Sequence, residues 1–286
     1  MEKISVIIPV YNRLEHLRTA FTCLLNQTIA PYEVIITDDG STDKVTDFIQ
    51  DLLHRAKFKI KHVYQIDKGF RKTRALNNAV RNCSGDYLIF LDQDLIFPED
   101  LIEKIIYEKE KGRFLMFRAA LTSEEERNEL IKKIESGETY EKGLSCIPND
   151  EKLKESFKMI KKDKRNNFLY SMKLRKRGSK LVGMLYSLYK KDYVKINGYD
   201  EKYQGWGYED DDLGNRLYKA KIKSKPIFLK NVPLHLWHPF DPTKKKSSNE
   251  EYYYTRKKEI NNKNYRCEYG YDKSIEDDET GINELN

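Results

Sequence analysis

Apolar and polar positions follow two rhythms along the first 110 residues. Short apolar runs of strand type lie at Ile4 to Pro9, Tyr32 to Thr37, Phe58 to Ile66 and Tyr87 to Leu91. Between them, apolar residues recur every three or four positions. Leu14, Leu17, Ala20, Phe21, Leu24 and Leu25 predict an amphipathic helix over about 13–27, with Asn12 near its cap. A second helix is expected up to about His54, capped by Ser41 or Thr42, and a third over 71–82. Strands alternating with helices of this length predict right-handed βαβ units, hence an α/β fold with a largely parallel sheet. Leu88 to Leu91 is continuously apolar, the pattern of a strand covered on both faces.

Past residue 110 the rhythm loosens. Ser123 to Ser136 predicts a charged helix, and 161–180 is dense in Lys and Arg around Tyr170 and Met172. Strand character returns over Leu181 to Tyr189 and Lys225 to Leu229, with a helix at about 209–220 between them. From residue 240 the chain turns polar, with Tyr252, Tyr253 and Tyr254 in a helix and an acidic end. The expected organisation is one domain over 1–240, built of halves 1–110 and 181–240 around a charged helical insertion, 111–180. Residues 241–286 are expected to form a polar, partly disordered appendage.

Three polar clusters fall at predicted carboxyl ends of strands, where open α/β sheets bind ligands: Pro9-Val10-Tyr11-Asn12, Asp38-Asp39-Gly40-Ser41 and Asp92-Gln93-Asp94. Asp92 and Asp94 alone also read as a polar turn. Beside the other clusters they read as a site for a hard cation such as Mg²⁺ or Mn²⁺, which takes oxygen ligands. Downstream comes Gly205-Trp206-Gly207-Tyr208-Glu209-Asp210-Asp211-Asp212. Four acids can simply complement a helix dipole. That does not account for a Trp between two glycines, which suits a sugar ring on an indole face with close backbone approach. His235 and His238, three apart, read either as structural or as metal ligands.

Composition adds limits. Charged residues are 35% and the net charge is +7, which favours anionic partners. No apolar run nears the 18 to 20 residues, roughly, of a membrane helix, and Ile4 to Ile8 is too short and too β-branched for a signal peptide. Cys23, Cys83, Cys146 and Cys267 form no Cys-x-x-Cys pair and read as reduced, buried thiols of a cytosolic protein. The basic stretch 161–180 reads as a solvated insertion or as a face for an anionic acceptor or membrane surface. No nucleic-acid recognition module is visible.

Val6-Ile7-Ile8-Pro9-Val10-Tyr11-Asn12, Asp38-Asp39-Gly40-Ser41-Thr42-Asp43 and Ser84 to Asp94 together resemble family 2 glycosyltransferases of the GT-A fold. Asn197-Gly198-Tyr199-Asp200-Glu201 and Gly205 to Leu213 resemble the acceptor and catalytic segment of β-1,4-galactosyltransferases and bacterial chondroitin-type polymerases. The resemblance covers about 1–110 and 180–240, and the order and spacing of its motifs are its specific part. It implies a Rossmann-like nucleotide-binding half fused to an acceptor-binding half. It also implies roles. Pro9, Tyr11 and Asp39 would frame the uracil of a UDP-sugar, and Arg71 and Arg74 would lie near ribose or diphosphate. Asp92 would contact ribose or donor sugar. Asp94, with His235 or His238, would ligate Mn²⁺ or Mg²⁺, His235 being the favoured one. Asp210 would be the catalytic base, Glu209 would hold the acceptor hydroxyl, and Trp206 would bridge donor and acceptor.

The chemistry is consistent with this. A departing UDP needs a cation and basic groups, and an acceptor hydroxyl needs a carboxylate base. One base opposite the leaving group gives inversion. The expected activity is metal-dependent transfer of a hexose or N-acetylhexosamine from UDP to a saccharide or lipid-linked oligosaccharide of a surface polysaccharide or glycolipid. Galactose or N-acetylgalactosamine is favoured and glucose-type sugars are alternatives, added singly, at the cytoplasmic membrane face. A sugar nucleotidyltransferase would carry a Gly-rich loop where Val10-Tyr11-Asn12-Arg13 stands. A non-catalytic sugar-binding subunit would have lost acids that are all present here.

Overall fold

The computed structural model describes residues 2–141, 150–239 and 247–286. Its first half runs β1 (Ile4–Val10), α1 (Leu14–Leu25), β2 (Glu33–Asp38), α2 (Val45–Leu53), β3 (Lys59–Tyr64), α3 (Lys72–Asn82), β4 (Tyr87–Leu91), β5 (Leu95–Ile96) and α4 (Leu101–Glu108). Then follow β6 (Arg113–Met116), β7 (Ala120–Leu121), α5 (Glu124–Glu135), α6 (Asp150–Ser171), β8 (Leu185–Tyr189), α7 (Lys190–Lys195) and α8 (Glu209–Lys219). The chain closes with β9 (Lys223–Pro226), β10 (Leu234–His235), α9 (Glu250–Glu259) and β11 (Gly281–Glu284). Eight strands form the main sheet in the order β11-β3-β2-β1-β4-β8-β6-β9, and β5-β10-β7 form a small second sheet. The main sheet is parallel from β3 through β4 and between β6 and β9, with β8 and β11 antiparallel to their neighbours.

Period-two alternation sends β1 residues into two cores. Val6 and Ile8 join Leu17, Phe21, Val34, Ile36 and Ile49 on one face. Ile7 joins Ile35, Leu76, Val80, Phe90, Leu213 and Leu217 on the other. Both faces being covered explains why the strands read as unbroken apolar runs. Truncating fully buried Ile7 to Ala would cost about 2–5 kcal/mol.

The expected caps are not made. α1 is preceded by Asn12 and Arg13, both at positive φ (53° and 50°), with no side-chain cap. Lys44, not Ser41 or Thr42, stands before α2. The polar side chains tie two loops together instead: Asn12 N donates to Ser41 Oγ (2.8 Å), and Thr42 N donates to Asn12 Oδ1 (2.9 Å). Short polar side chains serve either a helix start or a loop, and here the loops take them. The strand expected over Leu181 to Tyr189 is confined to 185–189, and the preceding residues form a loop.

The appendage expected from 241 on is corrected for residues 247–286. β11 extends the main sheet antiparallel to β3, with Ile282 opposite Val63. The Tyr253 ring of α9 stacks on Tyr208, centroids 4.6 Å apart. Aromatic and main-chain pairing outweigh the polar composition on which the disorder expectation rested. The insertion is also packed: Ser156, Ile160, Asp163 and Asn166 mark the buried stripe of α6, which lies against β9 and β7. Cys23, Cys83 and Cys267 are buried and unpaired. Cys146 lies outside the described residues.

Candidate active site

Strand register assembles the site. Val10 pairs with Asp38 and Ile7 with Phe90, so β1, β2 and β4 end on one edge and release Tyr11, Asp39 and Asp92 side by side. β8 enters antiparallel, Leu185 opposite Leu91, which brings the loop Val182 to Met184 to the same edge. Asp92 N donates to Met184 O (2.9 Å) and fixes that junction. In the small sheet His235 pairs with Leu95, and Leu236 N donates to Asp94 O (2.8 Å). A short ladder thus carries the histidines to the aspartate across about 140 residues of chain.

These elements enclose a cavity of about 630 Å³. Ten of the predicted residues line it: Pro9, Tyr11, Asp39, Asp92, Asp94, Trp206, Glu209, Asp210, His235 and His238. Arg71 and Arg74 do not. The Arg71 guanidinium is buried in ion pairs with Glu276 and Asp278 (3.2 Å to the latter). Arg74 bonds Gln65 Oε1 (2.8 Å), Ser274 Oγ (3.1 Å) and the Asp278 carbonyl (2.7 Å). Both side chains serve the C-terminal segment, whose acids no local pattern connects to α3. The Arg71 backbone contributes instead, its N–H donating to Asp39 Oδ2 (2.6 Å), while Gln65 Nε2 donates to Asp39 Oδ1 (2.6 Å). Burial lifts the Asp39 carboxyl to about 6 despite these bonds.

Carboxylates dominate the cavity, and Lys72 answers them. Its ammonium lies 2.9 Å from Asp92 Oδ1. Burial alone would weaken its hold on the proton, but Asp92, Asp210 and Glu209 raise its pKa above the ordinary lysine value. Glu209 is pushed up to about 7, first by burial and then by repulsion from Asp210. Its Oε2 is buried without a hydrogen-bond partner. Asp210 Oδ1 accepts from Tyr199 OH (2.7 Å), which lies 2.8 Å from Tyr186 OH. The other two acids of the run turn away. Asp212 pairs with fully buried Arg216 (2.6 Å), and Asp211 with Arg177 (2.8 Å). Helical phase divides one acidic run into a catalytic-looking pair and a structural pair.

Asp94 and the two histidines offer one ligand atom each, all within 4.8 Å of one another. His235 Nε2 is 3.5 Å from Asp94 Oδ1, and His238 Nε2 is 3.6 Å from Oδ2, both longer than hydrogen bonds. Asp94 Oδ1 is buried and without a hydrogen-bond partner. His238 Nδ1 lies 2.9 Å from the Pro239 carbonyl, which only accepts, so that nitrogen carries the proton and Nε2 presents its lone pair. Burial, then repulsion from Arg13 and His235, lowers the His238 pKa against the opposing pull of the Pro239 carbonyl and Asp94. A carboxylate with one orphaned oxygen, grouped with two imidazole nitrogens, fits a divalent cation, although Arg13 also lies 3.7 Å from Asp94 Oδ2.

Sequence reasoning missed three contributors. Lys72 sits between the two arginines chosen, and only the phase of α3 separates them. Gln93 locks the loop before α1: its Oε1 accepts from Tyr11 N (3.2 Å) and its Nε2 donates to Asn12 O (2.9 Å). Gly183 lets the Asp210 carboxylate lie against the backbone, since a Cβ there would fall 2.3 Å from Oδ2. A glycine in a strand-like run was the available signal. The Trp206 loop is built by Gly205 (φ 80°) and Gly207 (φ 108°), and Ser247 Oγ donates to Trp206 O (2.6 Å).

Residues 5–167 match the family model described as glycosyl transferase family 2, and 164–234 match one described as the N-terminal domain of galactosyltransferase. Chondroitin synthase of Escherichia coli is 24% identical over 243 residues, 77% of this chain and 32% of that protein. Among solved structures, the fold is similar to S. aureus TarS in complex with UDP-GlcNAc, with TM-score 0.57, 14% identity, and 88% of this chain and 64% of that one covered. It is also similar to the mannosyltransferase PcManGT of Pyrobaculum calidifontis in complex with GDP-Man and Mn²⁺, with TM-score 0.55, 13% identity, and 82% of this chain and 57% of that one covered. At these identities the structures show a shared GT-A fold. The chain spans about a fifth to about a half of the length of several curated relatives it matches.

Proposed function

The chain belongs to glycosyl transferase family 2, and from that premise we propose that it moves a hexose or N-acetylhexosamine from a UDP-sugar to a saccharide hydroxyl, with inversion and with a divalent cation. One observation carries the reading: orphaned Asp94 Oδ1 with two imidazoles, and the pair Glu209 and Asp210, line the same cavity. In the reading, the base of the nucleoside stacks on Tyr11 and donates its N–H to Asp39. Lys72 and Arg13 face the diphosphate, and Asp92, held by Lys72, bonds ribose or donor sugar. Asp94, His235 and His238 hold Mn²⁺ or Mg²⁺, which supplies positive charge to a diphosphate otherwise entering among five carboxylates. Trp206 gives the acceptor ring a flat face.

Asp210 takes the acceptor proton as the hydroxyl oxygen attacks the anomeric carbon from the side opposite UDP. Tyr199 holds Oδ1, so Oδ2 does the accepting. Glu209, on the same turn, orients the hydroxyl. The named sugar of the TarS complex supports UDP, and that of PcManGT keeps GDP as the second choice. The test is nucleotide release from UDP- and GDP-sugars with Mn²⁺ and a panel of saccharide acceptors, with the product anomer read by NMR. Turnover with UDP-sugars and an inverted anomer are expected. Retention of configuration would defeat the single-base mechanism.

No helix among the described residues is long and apolar enough to cross a membrane. We place contact with a membrane surface at the end of α6, where Phe168, Met172 and Leu174 are 62%, 55% and 69% exposed among Lys164, Lys173 and Lys176. Apolar side chains within a basic collar suit an anionic interface. Loss of binding to phosphatidylglycerol vesicles in F168S/M172S/L174S is expected, and unchanged binding contradicts it.

A further inference from the structure

We infer that the acceptor is an anionic saccharide whose charged groups lie in a basic groove beside the active-site cavity, an inference that rests on the glycosyl-transfer reading. The groove, about 290 Å³, has Arg118, Lys162, Arg175, Arg177 and Lys180 in its lining, with Asp163 as its acid and Val182 at its edge. Val182 also lines the active-site cavity, so the two spaces share a wall. That wall continues into Gly183, against which the Asp210 carboxylate rests. An acceptor with its terminal hydroxyl at Asp210 has this groove as the neighbouring place for its next residues.

The charge in the groove is only partly answered. Arg118 pairs with Asp163 (2.7 Å) and Arg177 with Asp211 (2.8 Å). Lys162, Arg175 and Lys180 are exposed, and Asp163, which already pairs with Arg118, is the acid that feels the Lys162 charge. Nearby Lys257 holds its proton less tightly than an ordinary lysine, through burial and then repulsion from Arg177 and Lys180. A carboxylate or phosphate group entering here relieves that repulsion and gains charge-assisted hydrogen bonds. No aromatic side chain lines the groove, so it offers nothing on which nucleic-acid bases would stack.

The test measures binding of the full chain to hexamers of galacturonate, of glycerol phosphate and of neutral maltose units, with and without added salt. Phosphatidylglycerol vesicles form a fourth arm. At low salt at least one anionic hexamer should bind about tenfold more tightly than the neutral one, and salt should erase the difference. K162E/K180E should lose that advantage, whereas the distant pair K57E/K132E should keep it, with thermal melting as the folding control. The galacturonate and phosphate arms decide which anion is preferred. Equal binding of neutral and anionic hexamers overturns the inference, as does an anionic advantage that survives K162E/K180E. Binding to vesicles alone, lost in K162E/K180E, also overturns it in favour of a lipid surface. Because binding is read without turnover, a failed donor assay with retained anionic binding would count against the glycosyl-transfer reading and not against the groove.

Discussion

Replacing Gly183 by alanine tests the position of the proposed base without removing it. The added Cβ would lie 2.3 Å from Asp210 Oδ2 and 2.6 Å from Oδ1. Gly183 has no positive φ, so its backbone accepts a side chain. The atom that gives way is therefore the carboxylate, the free end of a side chain, which must retreat by about 1 Å to reach van der Waals distance. Such a shift stretches the 2.7 Å bond from Tyr199. It also misaligns the proton acceptor, at a cost of about 10²-fold in turnover, or about 2.7 kcal/mol of activation free energy. The assay is steady-state UDP release at saturating donor and acceptor, beside donor affinity and thermal melting. The expected G183A enzyme is folded, binds donor like the parent and turns over about 10²-fold more slowly. Parental turnover in a folded G183A would refute the placement of Asp210 against this backbone.

Three further outcomes follow from the same geometry. Glu209 holds its proton to about 7 in the folded state against 4.5 when unfolded, so the folded state binds more protons and stability falls as pH rises between those values. E209Q should therefore gain up to about 3 kcal/mol over the parent near pH 8 and little near pH 4, while losing turnover; equal pH profiles in denaturant melts would contradict this. H235A and H238A should each raise the Mn²⁺ concentration for half-maximal activity by about 10–100-fold, and a metal titration unchanged in either would remove that residue from the site. E276Q/D278N frees the Arg71 guanidinium and loosens the N–H that holds Asp39, so KM for the UDP-sugar should rise several-fold with kcat nearly kept; a loss confined to kcat would contradict the positioning role.

The strands, most of the helices and the carboxyl-edge location of the site were legible because they rest on local periodicity. β1, α3 and β4 each follow from a pattern within a dozen residues. The cavity's acids were legible for a similar reason, since strand ends and a helix start fix where Asp39, Asp92, Asp94 and Asp210 emerge. Contacts between distant segments were not. Arg71 and Arg74 look like diphosphate ligands until Glu276 and Asp278, some 200 residues away, claim them. Lys72 differs from its neighbours only by helical phase, which depends on where α3 starts. β11 is short and flanked by polar residues, and its order comes from pairing with β3, an edge the sequence does not announce. Both histidines reach Asp94 because β10 slots between β5 and β7, so a choice between them was never forced by the fold.

The central claim is that Asp210 is the base and that the cavity it lines also binds the metal-bound donor. D210N tests it most directly, because the amide keeps the shape and can still accept from Tyr199. The measurement pairs turnover with UDP-sugar affinity in Mn²⁺ on the same preparation. The account predicts turnover lowered by about 10²–10⁴-fold with donor affinity unchanged. Turnover near that of the parent enzyme would contradict it.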